Sequence, residues 1–397
     1  MKMPHCFDIY SDQILSFKLS GEVDYDIIPS AQNSQKTILR HLELAEKRKA
    51  ETLIIFGAAN GELANQIASQ KPENMQLIIC DLYPEHIRKL KKEKLNAFFA
   101  AENTHLLTDS SLWAILLLLL QYGFSSENCH LILNQNLDEK CKKRHQQLQK
   151  IFSGLRTTAE QHHNEKVKIT VAAILSPDEP DLDTFISSLP DWIHEIVLVW
   201  DSQSADSHPQ LRHKNKVNII NEHRPLNANF AEQRNLMLSK CSGDWIIYLD
   251  ADERLDDNAW NTILETTSID ECNGWYLPRM TFYPDESHCK VGYGLWPDLQ
   301  MRFFRNSKDL KFVNTIHEQL HGIKGPPGIL TKVVIKHLTH LLKSRKNIES
   351  KLKSFNKATE GKFSHKLGDE FPNIANKLLT PSSGNQFRSV ILPELNL

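Results

Sequence analysis

The stretch GDWIIYLDADERL, residues 243–255, decides how the rest of the chain reads. Trp245 to Leu249 is a continuous apolar run, the pattern of a strand buried on both faces of a parallel sheet. Gly243 stands where a preceding helix would stop. Three carboxylates follow the run: Asp250, Asp252 and Glu253. Ligands of open α/β sheets bind beyond the carboxyl ends of strands. In continued extended backbone, residues 250 and 252 share a face. Two such carboxylates suit a hard divalent cation that bridges to phosphate oxygens and neutralises charge on a departing diphosphate. Taken alone, a D-x-D is common and more often reads as a polar loop that caps a helix.

Working outward, NFAEQRNLMLSKC (229–241) predicts a helix just before this strand. Upstream lie strands KITVAAIL (168–175), EIVLVW (195–200) and KVNIIN (216–221), with a helix in 181–193. EIVLVW ends in Asp201-Ser202-Gln203-Ser204-Ala205-Asp206, acids and hydroxyls suited to a ribose and a base edge. Downstream, WYLPRMTFY (275–283) and MRFFR (301–305) are strand-like. Asp298 lies just before MRFFR and suits a general base for an alcohol. His317 suits a metal or a phosphate. From about 331 the chain reads as helix and tail.

An alternating strand and helix pattern also fills the first part of the chain. TLIIF (52–56), QLIIC (76–80) and HLILNQ (130–135) are strands, and helices are expected in 37–50, from Pro84, and over 112–120. Gly57 and Gly61 permit a tight turn between strand and helix, and Asp81 ends the next strand at the separation of a ribose-binding acid. Ala58, Ala59 and Asn60 leave the dinucleotide glycine pattern incomplete.

Composition bounds the classes. Of 397 residues, 40% are hydrophobic and 24% charged, so the chain has enough apolar surface to fold. Lys plus Arg is 47 and Asp plus Glu 49, which gives no basic footprint for nucleic acid. The longest apolar run, Leu112 to Leu120, is nine residues, against about 20 for a bilayer span. It reads as a buried helix, and any membrane contact would be peripheral. The first residues lack a signal peptide's apolar stretch. Seven cysteines without CxxC spacing read as reduced thiols of a cytoplasmic protein.

The segments EIVLVWDSQSAD, NFAEQRNLMLSKCSGDWIIYLDADERL, WPDLQMRFFRN and IHEQL, in that order, resemble the GT-A fold inverting glycosyltransferases of family 2. The branch most resembled glucosylates lipopolysaccharide core sugars and certain peptides. The resemblance spans about 168–340. It implies a nucleotide-sugar donor, most simply a UDP-sugar, and a glycan, lipopolysaccharide-core or protein acceptor in bacterial surface glycan biosynthesis. It implies Asp201 at the base, with Ser204 and Asp206 shaping the nucleotide loop. Asn229 and Arg234 would support the donor site, and Asp250 would touch ribose or metal-bound water. Asp252, with Asp250 and His317, would hold Mg²⁺ or Mn²⁺. Asp298 would be the catalytic base, and Arg302 would order its loop or meet the phosphates. Where the family has Asn-Glu after its first strand, this chain has Ser176-Pro177-Asp178-Glu179, with Glu179 in the acid's place and no Asn. His337 reads as a core histidine.

The first part resembles two things. One is a class I methyltransferase, in which Gly57 and Gly61 would line S-adenosylmethionine and Asp81 would hold its ribose. The other is the Rossmann-like region of motility-associated-factor proteins, which take part in flagellin glycosylation. The expected organisation is a Rossmann-like α/β domain (1–150), a polar linker (151–166), a GT-A domain (167–340) and a helical extension with tail (341–397). The expected activity is metal-dependent glycosyl transfer. Methyl transfer by the first domain and a non-catalytic scaffold in a surface-glycan pathway are the alternatives.

Overall fold

The computed structural model describes residues 5–17, 35–93, 101–158, 167–204, 208–211, 217–315, 318–348, 371–380 and 387–394. The chain divides into two compact units. The first holds Met1–Leu155, His288–Pro297 and Asp369–Phe387; the second holds Arg156–Ser287, Asp298–Gly368 and Arg388–Leu397.

The first unit is built on four parallel strands: β1 (Thr52–Phe56), β2 (Gln76–Asp81), β3 (Thr104–Thr108) and β4 (Cys129–Leu133). Their order, β3-β2-β1-β4, is that of the first four strands of a doubly wound sheet. All five residues of β1 are buried, as its unbroken apolar sequence requires. The helix Leu112–Gln121 is buried from Ala114 onward, which explains its apolar run. Gly57 has a φ of +92°, and a Cβ there would meet the side chain of Leu137 at 2.4 Å. The sequence reading missed the helix His5–Ser16, which buries Phe7, Tyr10 and Ile14 and whose polar side chains bond to strand backbone. Asp8 accepts from the Leu106 amide (2.9 Å), and Ser11 accepts from Thr108 N–H (3.0 Å) and donates to Leu106 O (2.8 Å). These bonds cover the open edge of β3.

In the second unit, β5 (Arg156–Thr157), β6 (Ile169–Leu175), β7 (Glu195–Trp200), β8 (Asn218–His223) and β9 (Trp245–Tyr248) join later strands in a nine-stranded mixed sheet. Strands β9, β6, β7 and β8 are parallel neighbours, and Gln300–Arg305 runs antiparallel to β9. The core includes Trp245 stacked on Phe303, ring centroids 4.7 Å apart. Beyond Gln300–Arg305 the sheet continues through Gly274–Leu277, Gly328–Leu330, Ser389–Ile391 and β5. A separate three-stranded sheet joins Glu253–Arg254, Ile335–His337 and Arg279–Thr281.

The C-terminal part departs from the helical expectation. Ile335–His337 and Ser389–Ile391 are strands of the second unit. Asn373–Ala375 pairs with His288–Lys290 in the first. Segments of three residues carry no readable periodicity, and pairing partners rather than local pattern define them. Residues 349–370, part of the expected helix, lie outside the described residues.

Candidate functional site

The acidic turn follows β9, and the three-stranded sheet folds it back. Asp250 N–H donates to Glu253 Oε2 (3.0 Å), closing the turn. Glu253 and Arg254 then pair with His337 and Lys336. Leu338 N–H donates to the Asp252 carbonyl (2.8 Å), which fastens the chain after His337 to the same turn.

Arginines from three elements converge on these carboxylates. Arg302 is the odd residue of a register shift, since Phe303 pairs with Trp275 and Met301 with Tyr276. Bulges re-aim side chains in this way. Its Nη2 donates to Asp250 Oδ2 and to Glu253 Oε1, both at 2.8 Å. Arg234 projects from the helix Phe230–Lys240, bonds to Glu318 and reaches Asp250 Oδ1 at 3.4 Å. Both guanidinium groups lie over the Tyr248 ring, at 4.4 Å for Arg302 and 4.5 Å for Arg234. Arg279 donates to Glu253 Oε1 (3.1 Å), and its Nε and Nη2 both reach Asp298 Oδ2 at 2.8 and 2.6 Å. Burial pushes the Asp250 carboxyl up, but Arg302 and Arg234 outweigh it and hold the group well below the usual carboxylate range. Burial raises Glu253, with Arg302 opposing.

Asp252 faces a different cation. Lys343 Nζ donates to Asp252 Oδ2 (3.0 Å) and lies 2.7 Å from Glu179 Oε2. His337 Nε2 is 3.8 Å from Asp252 Oδ1, and its Nδ1 meets Thr281 Oγ1 at 3.0 Å. Burial and then Arg279 lower His337 to about 4. Burial raises Asp252, but His337 and Lys343 reverse that and leave it low.

The remaining expected residues are placed as follows. Asp201 follows β7 and accepts from the Leu226 amide (2.7 Å). Ser204 is exposed on the same loop, and its carbonyl accepts from Ser202 Oγ (3.4 Å). Asn229 caps the helix that carries Arg234, accepting from Glu232 N–H at 3.1 Å. Asp298 has a φ of +40°, and its Oδ1 accepts from Gln300 Nε2 (2.8 Å). Asp206 and His317 lie outside the described residues. Asp250, Arg234, Arg302 and Asp298 are thus linked through one ion-pair network. Arg279 and Glu318 complete it, and Lys343 forms a separate cluster with Asp252 and Glu179; none of the three was singled out in the sequence. Glu318 lay inside a quoted motif; Arg279 and Lys343 had no local signal.

The sequence put Mg²⁺ or Mn²⁺ between Asp250, Asp252 and His317. The described side chains do not fit that ion. The carboxylates face Arg302, Arg234 and Lys343, and among the described residues no group of three or more His, Cys, Asp or Glu is placed to hold a metal.

In the first unit, Asp81 is fully buried, and its oxygens accept from Ala58 and Tyr83 N–H, both at 2.8 Å. Asn134 donates to Gly57 O (3.0 Å). The acid expected on a ribose pins the glycine turn through Ala58 N–H. No described helix is long and apolar enough to cross a membrane.

Residues 176–322 match the model of glycosyl transferase family 2. A TPR repeat-containing protein of Synechococcus elongatus is 24% identical over 151 residues, 38% of this chain and 35% of that protein. The chain therefore spans about a third of the length of the curated relative it matches. Among solved structures, S. aureus TarS 1–349 in complex with UDP-GlcNAc is 12% identical, covering 53% of this chain and 70% of that one, at a TM-score of 0.31. GalNAc-T7 with UDP, GalNAc and Mn²⁺ is 15% identical, covering 32% and 27%, at a TM-score of 0.24.

Proposed function

We propose that the second unit transfers a sugar, with inversion, from a nucleoside diphosphate donor to a hydroxyl of a glycan or protein acceptor. A UDP-sugar is the donor class that the acid and hydroxyls after β7 suit, and a surface glycan is the acceptor class. The reaction belongs in the cytoplasm, in keeping with the reduced thiols read from the sequence. The observation that carries the reading is the family 2 match over 176–322, which includes β7, β9 and Gln300–Arg305. Asp201 and Asp250 follow the ends of the parallel strands β7 and β9, where α/β sheets bind ligands.

Each residue then has a role. Asp201 and Ser204, with Asp206, hold the nucleoside. Arg302 and Arg234 fix Asp250 toward the donor and supply positive charge beside a leaving diphosphate. Both Arg279 bonds to Asp298 fall on Oδ2, so Oδ1, shared among the described residues only with Gln300, takes the acceptor's proton. The acceptor oxygen forms a bond to the sugar's C1 as the C1–O bond to the diphosphate breaks, and the electron pair leaves with the diphosphate.

A screen of nucleotide sugars for release of free nucleoside diphosphate tests the reading, and acceptor-free hydrolysis is enough. The full chain should release UDP from at least one UDP-sugar, and UDP should raise its Tm. Asp298→Asn should keep the UDP shift and lose about 100-fold or more in turnover. Wild-type turnover in that variant removes Asp298 from the role. Silence with every nucleotide sugar removes the reading itself.

A further inference from the structure

We infer that the ammonium of Lys343 takes the place of the divalent cation, so that this transferase neutralises its donor's diphosphate without a metal. The inference rests on the proposed function and names the cation of that same site.

Lys343 is built into the site. Its side chain is 9% exposed, and it lies against Asp252, 8% exposed, and Glu179, 18% exposed. Those two acids follow β9 and β6, neighbouring parallel strands. The lysine arrives from the other direction, through a segment whose backbone is tied to the acidic turn by Leu338 N–H on Asp252 O. A one-turn helix, Thr339–Leu342, then sets its spacing, with Lys343 N–H on Thr339 O at 3.0 Å.

The chemistry excludes a second cation. Mg²⁺ and Mn²⁺ need several oxygens at about 2.0–2.2 Å, and at least one carboxylate free to supply them. Lys343 already fills the place between Asp252 and Glu179 and offsets one of their two charges. An incoming ion would have to displace it, leaving a buried ammonium unpaired beside a divalent ion. An ammonium carries three N–H bonds; Asp252 accepts one, and Glu179 Oε2 lies 2.7 Å away as an ion-pair partner. A further N–H is left for a diphosphate oxygen, a charge-assisted bond of the strong kind. Donors remain nearby as well: Arg234 Nη1 and Arg302 Nε and Nη1 are buried with no hydrogen-bond partner among the described residues. Cationic donors for a diphosphate are therefore present in the chain itself.

The test uses the full chain, stripped with EDTA and desalted. Mn²⁺ is titrated and followed by the EPR signal of the free ion, and UDP binding is measured by calorimetry with and without EDTA. The wild type should leave the Mn²⁺ signal unchanged and bind UDP equally in both conditions. Lys343→Met should weaken UDP roughly tenfold or more and begin to take up Mn²⁺. Lys343→Arg, which keeps the charge, should stay silent to Mn²⁺. Stoichiometric Mn²⁺ uptake by the wild type, or UDP binding that EDTA abolishes and Mn²⁺ restores, overturns the inference while leaving glycosyl transfer standing. A wild type that binds no UDP with or without Mn²⁺ overturns both. Should Lys343→Met not fold, the wild-type titration decides alone.

Discussion

Arg302 holds Asp250 and Glu253 with one nitrogen while 2% exposed, so its removal leaves two carboxylates without their counter-charge. Breaking a buried pair by removing one partner costs about 3–5 kcal/mol. Arg302→Ala is expected to lose about that much in urea denaturation; a loss below about 1 kcal/mol would show the pair to be solvated. His337 makes a prediction about pH. Its folded pKa is lowered to about 4, against about 6.5 in an unfolded chain. The unfolded state therefore takes the proton first as pH falls, and the stability present above about 6.5 drains away between about 6.5 and about 4. His337→Gln should flatten the stability curve in that window, and identical curves would refute the assignment. The depressed Asp250 and Asp252 act lower, where falling pH reaches the carboxylate range. Of these residues, the acids after β9, Arg234 and Arg302 were legible because they sit in motifs beside the strands that place them. Arg279 and Lys343 were not, because only the three-stranded sheet and the chain after it bring them to the turn.

At the scale of elements, the strong patterns held. Continuous apolar runs gave β1, β2, β6, β7 and β9 nearly to the residue, since strands buried on both faces need no alternation. Pro278 divides the strand expected at 275–283 into Gly274–Leu277 and Arg279–Thr281, and so starts a second sheet that carries Arg279. The strand β3 was hidden because Thr-His-Leu-Leu-Thr holds only two apolar residues, and the three-residue strands because they are too short to bear a period. Asn229, read as a donor contact, is the N-cap of the helix that presents Arg234. Asn229→Ala should cost about 1 kcal/mol, read as a lowered urea midpoint with unchanged slope. An unchanged midpoint would deny the cap any weight. Within the large sheet, a Cβ on Gly328 would lie 2.3 Å from the Trp275 ring. Gly328→Ala is expected to lose about 1–3 kcal/mol by overpacking, and a wild-type Tm would show that the tryptophan yields freely.

At the scale of the molecule, each unit borrows from distant sequence. The first takes His288–Pro297 and Asp369–Phe387, and the second closes one side of its large sheet with Ser389–Ile391, between Gly328–Leu330 and β5. Nothing in the local hydrophobic pattern announces such returns, because pairing across more than 200 residues leaves no period to read. A chain cut before residue 388 should expose Gly328–Leu330 as an unpaired apolar edge and self-associate on size-exclusion chromatography. A monomeric product would show that edge to be protected by other means.

That arrangement bears on how the protein is made. Domains commonly fold one after another as they leave the ribosome. Here neither unit has its full complement of strands until residues 373–391 have been translated. The nascent chain must therefore hold two sheets unfinished until those residues emerge, and chaperones that shield open edges have the most to do for this protein before then.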